Sequence, residues 1–191
     1  MQVKGVALLG LVVLGGVAGD ALAARKGADA CAGLVGFRDA RLKLEVTGAE
    51  RVPVAPPGTV RAASYLPPIA VELPAYCKVS GRINDRTGAD GVRYGIGFEL
   101  ALPEGWNGRF LFQGGGGLNG SIAPALGTTA AGDTPALARG FAVVSTDSGH
   151  KGEGFDASFM RDQRAALDFA HASVGTTAQA ALLLVERYYG K

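Results

Sequence analysis

The sequence has few of the residues that bind transition metals, since its 191 residues include only 2 cysteines and 2 histidines. Neither pair has the C-x-x-C or H-x-x-H spacing that is typical of zinc sites. An excess of charge of one sign is also missing, because 19 lysines and arginines are matched by 17 aspartates and glutamates. Proteins that bind nucleic acid through its phosphates usually carry a basic face. The composition therefore argues against a zinc protein and against a nucleic-acid-binding protein.

The first 23 residues have the features of a secretory signal peptide. Lys4 provides a short positive region, residues 5–18 are uncharged and mostly apolar, and Ala21-Leu22-Ala23 is an A-x-A cleavage site. The apolar stretch is shorter than the roughly 20 residues that a membrane span needs. We predict a signal peptide over 1–23 and a secreted or periplasmic mature chain over 24–191, with no membrane attachment after cleavage.

Export bears on the interpretation of Cys31 and Cys77. In an oxidising compartment, two cysteines in one mature chain favour a disulfide over a metal site. Closing a loop of about 47 residues would stabilise the fold by about 4 kcal/mol in the chain-entropy model. Two separate free thiols are the alternative.

The middle of the chain has the patterns of a β-sheet. Residues 76–83 alternate apolar and polar, a turn rich in Asp and Gly follows, and residues 92–102 alternate strictly, which predicts an antiparallel hairpin. The short apolar runs 110–112 and 141–144 are bounded by turn residues and predict strands buried on both faces.

Helices are predicted mainly at the end of the sequence. Thr134-Pro135 is typical of a helix start, with Gly140 ending that short helix. Residues 161–173 predict a longer helix, which Gly175-Thr176-Thr177 should interrupt. The second segment has one predicted apolar face: Ala178, Ala181, Leu182, Val185 and Tyr189.

The order of these elements predicts an α/β fold in which an antiparallel hairpin leads into a parallel sheet. A helix that follows a buried strand normally returns the chain to a parallel neighbour. No further strand follows the last helix in this sequence, so we expect an incomplete sheet.

Four consecutive glycines, Gly114–Gly117, follow the third predicted strand. Gly115, Gly117 and Gly120 formally match the dinucleotide fingerprint, but Pro124 falls within the first turns of the helix that this fingerprint requires. In α/β-hydrolases a glycine-rich loop after the third strand contributes an oxyanion-hole amide. We favour that interpretation, with a turn that binds no ligand as the alternative.

A catalytic triad is not evident. None of the serines lies in a G-x-S-x-G sequence. Asp147, Ser148 and His150 are close in sequence, but triad residues normally converge from different segments. We expect Asp147 to cap the loop after the strand and His150 to make a local hydrogen bond, whereas His171 should be a half-buried packing residue.

Several segments together resemble the tannase and feruloyl esterase family of secreted α/β-hydrolases. The resemblance covers about residues 31–190 and rests on these runs: 73–81 (LPAYCKVSG), 98–103 (FELALP), 106–110 (WNGRF), 113–120 (QGGGGLNG), 136–150 (ALARGFAVVSTDSGH) and 188–190 (YYG).

The resemblance implies serine-dependent hydrolysis of aromatic esters such as gallates, ferulates or a terephthalate half-ester. It also implies that Gly115 and Gly116 donate the oxyanion-hole amides, that Gly114 and Gly117 border the substrate, and that Cys31–Cys77 is the family's N-terminal disulfide. The family's nucleophile lies in a G-C-S-x-G-G segment just after the Tyr-Tyr-Gly motif, which ends here at Gly190. Its Asp, its His and a lid domain with a calcium site come later still. No cofactor is therefore expected in this segment.

Two hypotheses follow from this combination. In the first, the sequence is the N-terminal fragment of a secreted aromatic-ester hydrolase and is inactive alone, because it lacks the catalytic Ser, Asp and His. In the second, it is a shortened, non-catalytic secreted module that binds small phenolic ligands through the glycine loop and Trp106.

Overall fold

The computed structural model of the chain describes residues 27–128 and 134–190. The predicted signal peptide, residues 1–23, lies outside this range. The described residues contain a six-stranded mixed sheet with the order β1-β2-β3-β4-β6-β5. The strands are β1 (Arg38–Asp39), β2 (Leu44–Val52), β3 (Tyr76–Thr87), β4 (Arg93–Pro103), β5 (Phe110–Phe112) and β6 (Ala142–Thr146).

Helical segments precede and follow this sheet. Residues 27–32 are helical, and 3-10 turns occur at Leu137–Arg139 and Ser158–Arg161. Helix α1 (Gln163–Leu167) continues through a π-helical segment (Asp168–Ala172) into α2 (Ser173–Tyr189). In the two described ranges, no helix combines the length and hydrophobicity that crossing a bilayer requires.

The predicted hairpin is confirmed as the centre of the sheet. β3 and β4 pair antiparallel from Tyr76 opposite Pro103 to Thr87 opposite Arg93. One face of the pair is fully apolar, because Val79, Phe98 and Leu100 are all buried there. Period-two alternation therefore located these strands to within a few residues.

The two short strands lie side by side at one edge of the sheet and are its parallel pair. β6 is fully buried, as predicted. The expectation that β5 is buried on both faces is wrong, because its three residues are half-buried and only β6 pairs with it. Three apolar residues in a row do not distinguish a central strand from an edge strand.

The disulfide between Cys31 and Cys77 is present, with a Cα–Cα distance of 5.5 Å. Both residues are buried among the side chains that α2 packs against the sheet, including Leu184. The disulfide therefore fixes the segment that precedes the sheet onto its main core.

The final helices differ from the prediction in three respects. Gly175 does not interrupt α2, which runs unbroken from Ser173 to Tyr189, and the irregular segment is instead the π-helical one at Asp168–Ala172. His171 is exposed. The buried face is also rotated from the predicted one, since Leu182 is 46% exposed. That face comprises Ser173, Thr177, Ala180, Ala181, Leu184 and Val185.

The short helix before β6 matches its prediction at one end only. Gly140 ends it in the left-handed conformation, with φ of 81°, which glycine adopts readily. The residue before the 3-10 turn is Ala136, and no side chain caps that end. Thr134 is therefore not the N-cap that the sequence predicted.

Candidate active site

The glycine loop begins where β5 ends. The backbone N–H of Gln113 donates to the carbonyl of Val144 at 2.7 Å, which extends the parallel pairing by one residue. Gly114–Gly117 then leave the sheet and are exposed. Because β5 and β6 are parallel, this loop and the loop after Thr146 emerge at the same edge of the sheet.

Asn119 joins these two loops. Its Nδ2 donates to the carbonyl of Thr146 at 2.6 Å and to the hydroxyl of Ser148 at 2.9 Å. Its Oδ1 occupies the space that a Cβ at position 115 would need. Glycine is therefore required at 115 for a steric reason, which neither composition nor spacing indicated.

A buried polar side chain, that of Gln113, fixes the segment 124–127 beside the glycine loop. Gln113 is 4% exposed. Its Nε2 donates to the carbonyl of Pro124 at 3.1 Å, and its Oε1 accepts from the N–H of Gly127 at 2.7 Å. Glu99 supports the same segment by accepting from the N–H of Ala125 at 2.8 Å.

An open cleft of about 500 Å³ borders the glycine loop. Its lining includes Gly114, Gly115 and Gly116 and the loop that carries Tyr65. The cleft is of the size that binding sites for small molecules commonly have. Its lining residues are Ala62, Ala63, Tyr65, Leu66, Gln113, Gly114, Gly115, Gly116, Ala123, Pro124 and Thr128.

Asp147 caps its own loop, as the sequence predicted. Its carboxylate is 1% exposed, and its Oδ1 accepts from the backbone N–H of Gly97 at 2.9 Å and of Gly149 at 3.0 Å. Burial raises the pKa of Asp147 to about 6, because desolvation disfavours the charged form more than these hydrogen bonds favour it.

His150 is a packing residue. It is 2% exposed, and its ring stacks on Phe159 with centroids 3.6 Å apart. Burial lowers the pKa of His150, although a hydrogen bond to the backbone of Leu118 acts in the opposite direction. Its Nδ1 has no partner within the described residues. No hydrogen bond joins Ser148 to His150 or His150 to Asp147 within the described residues, so the three do not form a triad.

Trp106 is partly buried, packs against the main core and is not among the residues that line the cleft. Its indole stacks on Tyr189 with centroids 4.4 Å apart, and its Nε1 donates to the carbonyl of Arg109 at 2.8 Å. The hypothesis of a ligand contact by Trp106 is therefore wrong for this cleft. Tyr65 lines the cleft instead, and the sequence did not single it out, because nothing local distinguishes a tyrosine beside a cleft from any other exposed loop tyrosine.

The described residues do not offer a calcium site. No three His, Cys, Asp or Glu side chains converge closely enough within 27–128 and 134–190 to hold a metal ion. The family resemblance assigns its calcium site to a later segment, so no chemistry of the described residues is derived through a metal.

A mixed sheet whose parallel pair ends in an exposed glycine loop, with a helix packed on one face, defines the class as an α/β-hydrolase-type fold. A crystal structure of feruloyl esterase B from Aspergillus oryzae shares this fold with a TM-score of 0.63 at 24% identity. That similarity covers 86% of this chain and 30% of that one.

The chain belongs to the tannase and feruloyl esterase family, whose sequence model matches residues 77–191. It is 42% identical over 130 residues to a mono(2-hydroxyethyl) terephthalate hydrolase from Piscinibacter sakaiensis, covering 64% of this chain and 22% of that protein. It is 35% identical over 97 residues to a probable feruloyl esterase B-1 from Aspergillus terreus, covering 50% of this chain and 17% of that protein. The chain thus spans about a fifth of the length of these relatives, which are carboxylic-ester hydrolases by name.

Proposed function

We propose that this chain is the N-terminal part of the catalytic domain of a secreted serine carboxylic-ester hydrolase that acts on aromatic esters of the feruloyl or galloyl type. One observation carries the proposal: the exposed loop Gly114–Gly117 follows a parallel strand, and its residues Gly114, Gly115 and Gly116 line an open cleft. The family supports ester hydrolysis, and the names of the relatives support an aromatic acid.

The chemistry of the loop rests on its bare backbone. In acyl transfer, the carbonyl oxygen of the ester gains negative charge when the nucleophile attacks, and fixed N–H groups stabilise that charge. We assign this role to the amides of Gly115 and Gly116, while Gly114 and Gly117 give the ester close access to the backbone. Loss of one such donor typically costs about 2.7–4 kcal/mol of transition-state stabilisation.

The residues of this chain supply only that part of the reaction. No serine lies in a G-x-S-x-G sequence, and Ser148 is held by Asn119 instead of by a base. We therefore propose that the chain binds and orients the ester carbonyl but forms no acyl-enzyme alone. Secretion is supported by the signal-like residues 1–23 and by the Cys31–Cys77 disulfide.

Two assays test this proposal. The full chain should not hydrolyse methyl ferulate or methyl gallate, and turnover that a serine-directed reagent abolishes would contradict its inactivity. A hybrid enzyme, in which residues 77–190 replace the matching segment of the terephthalate half-ester hydrolase, should hydrolyse aromatic esters.

Within this hybrid, Gly116→Pro should lower kcat by about 10²–10³-fold, because it removes one backbone donor. Gly116→Ala keeps the N–H and should retain activity, since no atom lies within 4 Å of a Cβ built at this position. Equal activity of the two variants would rule out Gly116 as a donor.

The second candidate function is a non-catalytic module that binds phenolic ligands. The cleft favours it, because its described lining residues already form a cavity of about 500 Å³, a size that binding sites for small molecules commonly have. This candidate expects a cooperative thermal transition of the chain and saturable ligand binding, together with an inactive hybrid enzyme.

A further inference from the structure

The cleft is also lined by a loop around Tyr65, which has a defined conformation. The N–H of Ile69 donates to the carbonyl of Val60 at 2.8 Å, and the N–H of Gly58 donates to the carbonyl of Ile69 at 2.7 Å. At the tip, the N–H of Leu66 donates to the carbonyl of Ala63 at 3.1 Å. This tight turn holds Tyr65 above the cleft, and Ile69 anchors the loop in a buried cluster.

Tyr65 is 86% exposed, although it is a large aromatic residue. Its hydroxyl makes no hydrogen bond within the described part of the chain, and the neighbouring cleft residues Ala62, Ala63 and Ala123 are small. A flat aromatic side chain at the edge of a cleft offers a large contact area at a low entropic cost. The surroundings therefore leave one face of the ring available to a ligand.

We propose that Tyr65 determines specificity for an aromatic acyl group by stacking on its ring while the ester carbonyl lies at Gly115 and Gly116. This inference rests on the function proposed above. The cleft joins the two positions directly, since Tyr65 and both glycines line the same cavity. A neighbouring cavity of about 300 Å³ shares Ala62 and Leu66 with it and is lined mainly by apolar residues. This apolar lining suits the flat face of an aromatic ring.

A second exposed aromatic residue, Phe155, provides a comparison for Tyr65. Phe155 is 82% exposed and lies on Gly117, but it does not line the cleft. Phe155 is therefore an exposed aromatic side chain next to the glycine loop but outside the cleft, and it is the matched control for Tyr65.

The test is ferulate binding to the full ¹⁵N-labelled chain, followed through the amide signals of Gly115 and Gly116. Tyr65→Ala should weaken binding about three- to tenfold, because aromatic stacking is lost. Tyr65→Phe should bind within about twofold of the parent, because its ring is kept. 3-Cyclohexylpropanoate, which has no aromatic ring, should lose less affinity than ferulate on Tyr65→Ala.

Three outcomes would overturn the proposal. They are equal ferulate affinity of the Tyr65→Ala variant and the parent, a loss on Phe155→Ala but none on Tyr65→Ala, and no saturable shift of the two glycine amides. The ester-hydrolase proposal is judged separately by turnover in the hybrid enzyme. If the hybrid is active and any of these three outcomes is also observed, the ester-hydrolase proposal holds and the proposed role of Tyr65 is wrong.

Discussion

The side chain of Asn119 and the backbone of Gly115 fit against each other so closely that Oδ1 of Asn119 fills the space of a Cβ at position 115. Asn119 cannot easily move away, because its Nδ2 is bound to the carbonyl of Thr146 and to the hydroxyl of Ser148. One amide side chain thereby couples the glycine loop to the loop that follows β6.

Gly115→Ala should therefore destabilise the chain by about 1–3 kcal/mol, through crowding of a well-packed contact. Gly116→Ala is the matched control, because a Cβ there meets no atom within 4 Å, and its effect should stay within about 0.5 kcal/mol. Urea unfolding followed by circular dichroism measures both. Equal stability of the two variants would show that Asn119 does not constrain position 115.

The buried carboxyl of Asp147 should make stability depend on pH. Its pKa of about 6 in the folded chain lies above the ordinary value of 3.8, so the folded chain binds more protons than the unfolded chain between these values. The free energy of unfolding should then fall as pH rises from about 4 to 6, by up to about 3 kcal/mol from this group.

Asp147→Asn removes this titration while keeping an oxygen for the N–H groups of Gly97 and Gly149. Relative to the parent, the variant should gain stability steadily between pH 4 and pH 6. Asp156→Asn serves as the control, because hydrogen bonds from Ser158 lower the pKa of Asp156 below its ordinary value of 3.8, so its stability difference from the parent should stay nearly constant between pH 4 and pH 6. Parallel pH profiles of Asp147→Asn and the parent would exclude a raised pKa.

Removal of the Cys31–Cys77 disulfide should lower the free energy of unfolding by about 4 kcal/mol in the chain-entropy model. The reason is that a crosslink between residues 46 positions apart restricts the unfolded chain. Urea unfolding of the Cys31→Ser/Cys77→Ser double variant measures this difference. Addition of a reductant should shift the midpoint of the parent but leave that of the double variant unchanged.

The hydroxyl of Thr177 is buried without a hydrogen-bond partner in the described structure. Thr177→Val replaces it with a methyl group of similar shape, so the unfolding free energy should rise by about 1 kcal/mol. Thr177→Ser keeps the hydroxyl and loses a buried methyl group, so the unfolding free energy should fall by about 1 kcal/mol. A destabilised Thr177→Val variant would reveal a hidden partner for the hydroxyl. Thermal unfolding of the three proteins ranks them.

Local patterns were sufficient for the centre of the sheet but not for its edge. The hairpin of β3 and β4 follows from strict alternation, which depends only on neighbouring residues. The position of β5 outside β6 depends on pairing between Phe110–Phe112 and Ala142–Val144, and no local signal encodes it. Gly175 was expected to break a helix, yet burial of Thr177 and Leu184 nearby outweighs its cost of about 1 kcal/mol.

The candidate site was predictable in its backbone but not in its side chains. Four glycines after a strand mark a place where the backbone must be accessible, and the loop is exposed as that pattern suggests. The coupling by Asn119 and the presence of Tyr65 in the same cleft as the glycines bring together residues that are far apart in sequence. Such contacts depend on the distances between loops that the folded sheet brings together, and local sequence patterns do not encode those distances.

The parallel pairing of β5 with β6 has a consequence for protein engineering. Residues 110–120 and 142–150 are joined through Asn119 and Thr146, so they form a single transplantable unit despite the intervening chain. Moving the glycine loop alone into another scaffold would separate Asn119 from its acceptors, whereas moving both segments together would carry the geometry with them.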